Sequence, residues 1–127
     1  MKSKYKILIV DDDKFLLDMY AVKFAQSGFE VVASLGSMEA LAKLKDGFLP
    51  DVILTDILMP AMSGFELLSQ IKKEGLAKDA KIIILSNMGE KTDLDRGSEL
   101  KVDGYMIKAS MVPSEVVNKV LEVMKGK

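Results

Sequence analysis

The stretch DVILTDILMPAMSGFELL (Asp51–Leu68) decides the fold. Asp51–Asp56 is a short run of Val, Ile, Leu and Thr that ends at a carboxylate, the signature of a buried strand. Ser63 follows a Pro-containing loop, and Glu66 stands three positions beyond it. That is a capping box, and it predicts a helix over Ser63–Lys73 that ends before Gly75. Strand, loop and capped helix make one βα unit.

The same unit recurs outward in both directions. Tyr5–Val10 and Phe29–Ser34 precede it as strands; Lys81–Ser86 and Gly104–Lys108 follow it. The intervening segments carry helix signals. Asp13–Ser27 ends at Gly28, and Ser37–Asp46 is capped by Ser37 and stopped by Gly47. Glu90–Leu100 is helical with few apolar positions. Pro113–Lys125 opens on a Pro suited to a first turn and carries Val116, Val117, Val120, Leu121 and Met124 as a buried stripe. Such a succession predicts an α/β fold, a flavodoxin-like (βα)5 doubly wound parallel sheet with strand order 2-1-3-4-5. No repeat or linker divides the 127 residues, so a single domain over residues 1–127 is expected.

Composition narrows the chemistry. Cys is absent, which excludes disulfides, thiolate nucleophiles and zinc–sulfur sites. His is absent too, so no imidazole serves as base, ligand or phosphate carrier. A net charge of −1 argues against a surface that coats nucleic acid, and no direct nucleic-acid partner is expected. Wholly apolar runs reach only four residues, as in Ile7–Val10, too few to span a membrane. Met1–Tyr5 is basic but leads into no apolar targeting core, so a cytoplasmic location is expected. What remains is carboxylate, hydroxyl, lysine or hard-metal chemistry.

Ligands of doubly wound sheets bind beyond the carboxyl ends of the strands. There the sequence puts Asp11, Asp12 and Asp13 after the first strand and Asp56 after the third. Ser86 ends the fourth and Lys108 the fifth. One Asp after a strand is usually a helix cap or turn residue, and Asp13 fits that role at the first helix. The set is harder to explain that way. Crowded carboxylates need a cation or raised pKa values, and an oxygen-only site suits Mg2+. Carboxylate, hydroxyl, ammonium and Mg2+ together fit phosphoryl transfer.

The segments ILIVDDD (Ile7–Asp13), DVILTDILMPAMSGFELL (Asp51–Leu68), IIILS (Ile82–Ser86) and DGYMIK (Asp103–Lys108) resemble the CheY-like receiver domain of bacterial two-component response regulators. The resemblance implies that Asp56 is the phosphoacceptor. Asp12 and Asp56 would bind Mg2+ directly with the backbone carbonyl of Leu58, and Asp11 would hold it through water. Lys108 would contact phosphoryl oxygens, while Ser86 and Tyr105 would form the switch pair. The donor would be a sensor histidine kinase or a histidine phosphotransfer protein, and the output a downstream protein target. Four positions depart from the family's pattern: Ala109 follows Lys108 in place of Pro, Asn87 follows Ser86, Lys101 stands where Gly often ends a helix, and Leu58 replaces a frequently polar residue. None removes a catalytic group.

The chain stops after the last expected helix, so no output domain is expected within it; it is read as a single-domain regulator or as a piece of a longer one. Two other readings compete. A haloacid-dehalogenase-like phosphatase also uses an Asp-x-Asp after its first strand, but it needs further acids after a later strand, where this chain has Ser86-Asn87-Met88. A pseudo-receiver that only binds partners would have lost an acid or the Lys. The favoured reading is therefore not an enzyme with turnover but a module limited to autocatalytic phosphorylation and dephosphorylation.

Two further expectations concern surfaces. On the first helix Leu16, Tyr20 and Phe24 share one arc, while Phe15, Met19 and Val22 share another. The second arc exceeds the needs of a single core and lies beside the acidic edge, which suggests a partner surface. Leu58 and Met88 stand two residues beyond Asp56 and Ser86 and have no group to orient a hydrolytic water, so a long-lived phosphorylated state is expected.

Overall fold

The computed structural model describes residues 4–87 and 100–126. Its strands β1 (Lys6–Asp11), β2 (Glu30–Leu35), β3 (Val52–Thr55), β4 (Lys81–Ser86) and β5 (Gly104–Ile107) form one sheet in the order 2-1-3-4-5. Every pairing is parallel, with Ile7 opposite both Val31 and Val52, Leu54 opposite Ile83, and Ile84 opposite Tyr105. The helices are α1 (Lys14–Gln26), α2 (Ser37–Lys45), α3 (Gly64–Lys73) and α4 (Pro113–Lys125).

Strand alternation sorts the core into two layers. Ile7, Ile9, Val52 and Leu54 point to one face, where Leu17, Tyr20 and Phe24 of α1 meet Val116, Val117 and Val120 of α4. Leu8, Val10, Ile53 and Ile84 point to the other and pack on Leu41 and Leu44 of α2 and Leu67, Leu68 and Ile71 of α3. A sheet covered on both faces demands strands that are apolar at successive positions, and that is why these strands were legible.

Three details differ from expectation. Leu17, not Leu16, is the buried residue at the start of α1; Leu16 is only partly covered. Ser37 does not cap α2. Gly36 holds the cap position with φ +96°, and the Ser37 hydroxyl donates to the Met62 carbonyl at 2.9 Å, tying α2 to the loop after β3. Strand β5 ends at Ile107, and Lys108 opens a short 3-10 turn over Lys108–Ser110. The other boundary signals fold as read. Asp13 caps α1 by accepting from the Leu16 amide at 3.1 Å, Ser63 and Glu66 form their capping box, and Pro113 begins α4. Lys101 has φ +59°, the left-handed conformation that costs a non-Gly residue energy. No peptide bond among the described residues is cis, so Lys108–Ala109 is trans. The helix expected over Glu90–Leu100 lies outside the described residues except for Leu100, which sits in a turn. None of the helices described is long and apolar enough to cross a membrane.

Candidate functional site

The carboxyl ends of β1 and β3 are neighbours in the sheet, so their terminal acids converge. Carboxylate oxygens of Asp11, Asp12 and Asp56 all lie within 4.8 Å of one another. Asp11 and Asp56 are buried, at 3% and 8% exposure, whereas Asp12 is exposed. Lys108 reaches in from the end of β5. Its ammonium donates to Asp11 Oδ2 at 2.7 Å and to Asp56 Oδ2 at 2.9 Å.

The second oxygen of each buried acid is held by backbone. Asp11 Oδ1 accepts from the Asp13 amide at 3.0 Å, and Asp56 Oδ1 accepts from the Ile57 amide at 2.7 Å. Burial pushes the Asp11 carboxyl above the ordinary value of 3.8, although Lys108 and the Asp13 amide pull it back. For Lys108, burial works toward the neutral amine. Hydrogen bonds and charge from Asp11 and Asp56 outweigh it and hold the ammonium's pKa above the ordinary 10.5. One ammonium thus bridges two carboxylates of a group of three. The donors are all oxygen and one of them is open to water, which is the chemistry that suits Mg2+.

The backbone of Asp56 is fixed as closely as its side chain. Its amide donates to the Val10 carbonyl at 3.0 Å, and its own carbonyl accepts from the Thr55 hydroxyl at 2.9 Å. Gly64 closes the other side. Its amide donates to the Ile57 carbonyl at 2.7 Å, and a Cβ added there would fall 2.0 Å from the Asp56 carbonyl oxygen. Sequence reasoning assigned no role to Thr55 or Gly64. The available signals were a hydroxyl within an otherwise apolar strand and a Gly in a first helical turn, where it weakens the helix.

The remaining predicted residues fall around this centre. Ser86 is buried at the end of β4, and Tyr105 on β5 is partly buried. Tyr105 packs with Ile84 in the α2–α3 layer, and alternation turns Ser86 to the same face. Leu58 stands in the loop after β3 with its side chain 67% exposed. On α1, Phe15 and Val22 are 77% and 56% exposed. Met19 is different: it packs partly against the core and lines a groove with Pro113 of α4. Met88 lies outside the described residues.

This architecture is found among known proteins. A receiver domain protein (CheY-like) from Methanospirillum hungatei superposes with a TM-score of 0.87 at 29% identity, covering 98% of this chain and 96% of that one. The chemotaxis protein CheY4 of Vibrio cholerae gives 0.86 at 27% identity, covering 94% and 98%. Residues 7–121 match the family described as response regulator receiver domain, and the chain belongs to that family of two-component systems. Among curated relatives, the phosphate regulon transcriptional regulatory protein PhoB of Pseudomonas aeruginosa is 34% identical over 119 residues, 94% of this chain and 51% of that protein. PhoB of Escherichia coli is 31% identical over 120 residues, 94% of this chain and 52% of its own length. The chain therefore spans about half the length of these relatives.

Proposed function

We propose that Asp56 accepts a phosphoryl group from a phosphohistidine donor and that the phosphorylated domain changes its affinity for a protein target. The observation that carries this reading is the placement of Asp56 beside Asp11 with Lys108 bridging the two. A carboxylate oxygen of Asp56 attacks phosphorus, the phosphorus–nitrogen bond of the donor breaks, and the imidazole leaves, giving an acyl phosphate on the chain. The phosphohistidine must come from a sensor histidine kinase or a histidine phosphotransfer protein, because this sequence has no His. Lys108 is positioned to follow the developing charge on the phosphoryl oxygens.

Asp11, Asp12 and Asp56, with the Leu58 backbone carbonyl, would hold Mg2+, Asp11 through water. When bound, that ion neutralises charge on the transferring group. The Ser86 hydroxyl then turns toward the phosphoryl group and the Tyr105 ring moves inward after it, which reshapes the β5–α4 surface. In this reading the domain is a cytoplasmic signalling module without turnover on small substrates. We place no nucleic-acid contact on these residues, although a structural relative from Staphylococcus aureus is titled a DNA-binding response regulator.

Intact-mass measurement after incubation with acetyl phosphate and Mg2+ tests the proposal. One added phosphoryl group is expected on the natural sequence and none on Asp56→Ala or without Mg2+. Equal labelling of Asp56→Ala would overturn it.

A further inference from the structure

We propose that Thr55 is a positioning residue for the Asp56 carboxylate, an inference that rests on Asp56 being the phosphoacceptor. Thr55 is wholly buried at 0% exposure, on the face of β3 opposite the layer that receives Leu54. Its hydroxyl donates to the carbonyl of the next residue, Asp56, at 2.9 Å. That carbonyl belongs to the same peptide plane as the Ile57 N–H, which donates to Asp56 Oδ1 at 2.7 Å. Thr55 therefore holds one end of a plane whose other end holds the carboxylate.

Two further contacts limit how that plane can turn. The Asp56 amide is anchored on Val10 of the neighbouring strand, and the Gly64 amide holds the next carbonyl, that of Ile57, at 2.7 Å. With Oδ1 fixed, Oδ2 is the oxygen that faces Lys108 at 2.9 Å. Reaction needs one carboxylate oxygen in line with phosphorus, and small errors in such an alignment are costly. The hydroxyl thus converts a buried strand position into a constraint on the nucleophile. An apolar residue of the same shape would fill the space without supplying the constraint.

Thr55→Val keeps the volume and the β-branch and removes the donor; Thr55→Ser keeps the donor. We expect Thr55→Val to label from acetyl phosphate roughly fivefold more slowly at saturating Mg2+, an effect well within what misalignment produces. Its Ile57 amide proton should shift upfield and exchange faster with solvent, because its hydrogen bond to Oδ1 weakens. Thr55→Ser should restore both readouts toward the natural values. A merely structural role would lower the melting temperature of Thr55→Val and move neither. Labelling of Thr55→Val at the natural rate, or an unchanged Ile57 amide, would overturn the inference. If the natural protein itself takes no phosphoryl group, the phosphoacceptor reading fails, and the Ile57 amide alone then decides whether Thr55 sets the carboxylate.

Discussion

Lys108 and Asp11 are 97 residues apart in the chain and 2.7 Å apart in the fold. The same ammonium also bonds Asp56, so a single cation just beyond β5 bridges two buried acids, one ending β1 and one following β3, and offsets one of their two charges. Removing it leaves two uncompensated carboxylates at low exposure. Lys108→Met should cost about 3 kcal/mol of stability, the scale for breaking a buried pair on one side. Added Mg2+ should recover more of the melting temperature in Lys108→Met than it adds to the natural sequence. Equal shifts in the two proteins would show that the cations do not share a site.

The same pair sets a pH dependence. The folded-state pKa of Lys108 is raised, so the native state binds more protons than the unfolded state above the ordinary value of 10.5. The stability it contributes is complete below that pH and is lost as pH rises through the folded value. Tyr20, whose pKa is raised above 10.0 chiefly by burial, adds a loss of the same sign in any variant that keeps it. Chemical denaturation across the alkaline range should therefore fall more steeply for the natural sequence than for Lys108→Met. Parallel curves would remove Lys108 from the account.

The fold was largely legible because a doubly wound sheet leaves a simple imprint. Ile7–Val10, Val52–Thr55 and Ile82–Leu85 are covered on both faces, and continuous apolar runs say so. Ser63 with Glu66, and Pro113, mark helix starts by purely local bonds. Ser37 was misread because its hydroxyl serves a tertiary contact with Met62 rather than its own helix. At the site, the residue types at the strand ends were visible, but their pairing was not. That Lys108 spans both acids, and that Gly64 abuts the Asp56 carbonyl, depends on the register of strands distant in sequence. Thr55 escaped notice because a Thr in a strand needs no reason beyond its β-propensity.

Metal stability separates the exposed acid from the buried ones. Mg2+ at tenfold above its dissociation constant should stabilise the natural protein by about 1.4 kcal/mol. Crowding of three carboxylates would by itself make Asp12→Ala relieve repulsion in the metal-free protein. Asp12 is exposed, however, and its charge is screened by solvent. Asp12→Ala should leave the metal-free stability within roughly 0.5 kcal/mol and abolish the Mg2+ shift. Melts in which the variant keeps the full shift would exclude Asp12 from the metal site.

Gly64 offers a steric test. A Cβ there meets the Asp56 carbonyl oxygen at 2.0 Å, so Gly64→Ala must displace the backbone that carries the nucleophile. A loss of about 2–3 kcal/mol is expected, together with slower labelling. Gly104→Ala is the comparison, since its nearest neighbour, an Ile83 side-chain carbon, lies at 3.6 Å, an ordinary contact. Urea midpoints should fall for the first variant and move little for the second. Similar midpoints for both would mean that the loop after β3 yields easily.

The apolar arc of α1 divides once burial is known. Phe15 and Val22 are exposed, whereas Met19 supports the core and is left unaltered. Phe15→Ser combined with Val22→Ser should slow transfer from a phosphohistidine protein about tenfold, the loss of roughly 1.4 kcal/mol of contact. Acetyl phosphate needs no docking surface, so its labelling rate should not change. Equal loss with both donors would indicate damage to the fold.

The lifetime of the acyl phosphate turns on what surrounds Asp56. Hydrolysis requires a water held in line with the bond from Asp56 to phosphorus. Leu58, two residues on, projects from the loop after β3 at 67% exposure and has no polar side-chain atom to hold that water. Leu58→Asn supplies an amide at the same position with the same branching at Cγ, and exposure makes the exchange tolerable to the fold. Phosphate release from the labelled protein should accelerate about threefold or more in Leu58→Asn, an effect of under 1 kcal/mol on the barrier. Circular dichroism should report an unchanged melting temperature. If release is no faster, the slow step is set elsewhere around the phosphoryl group, and Leu58 is left as a contact for partners.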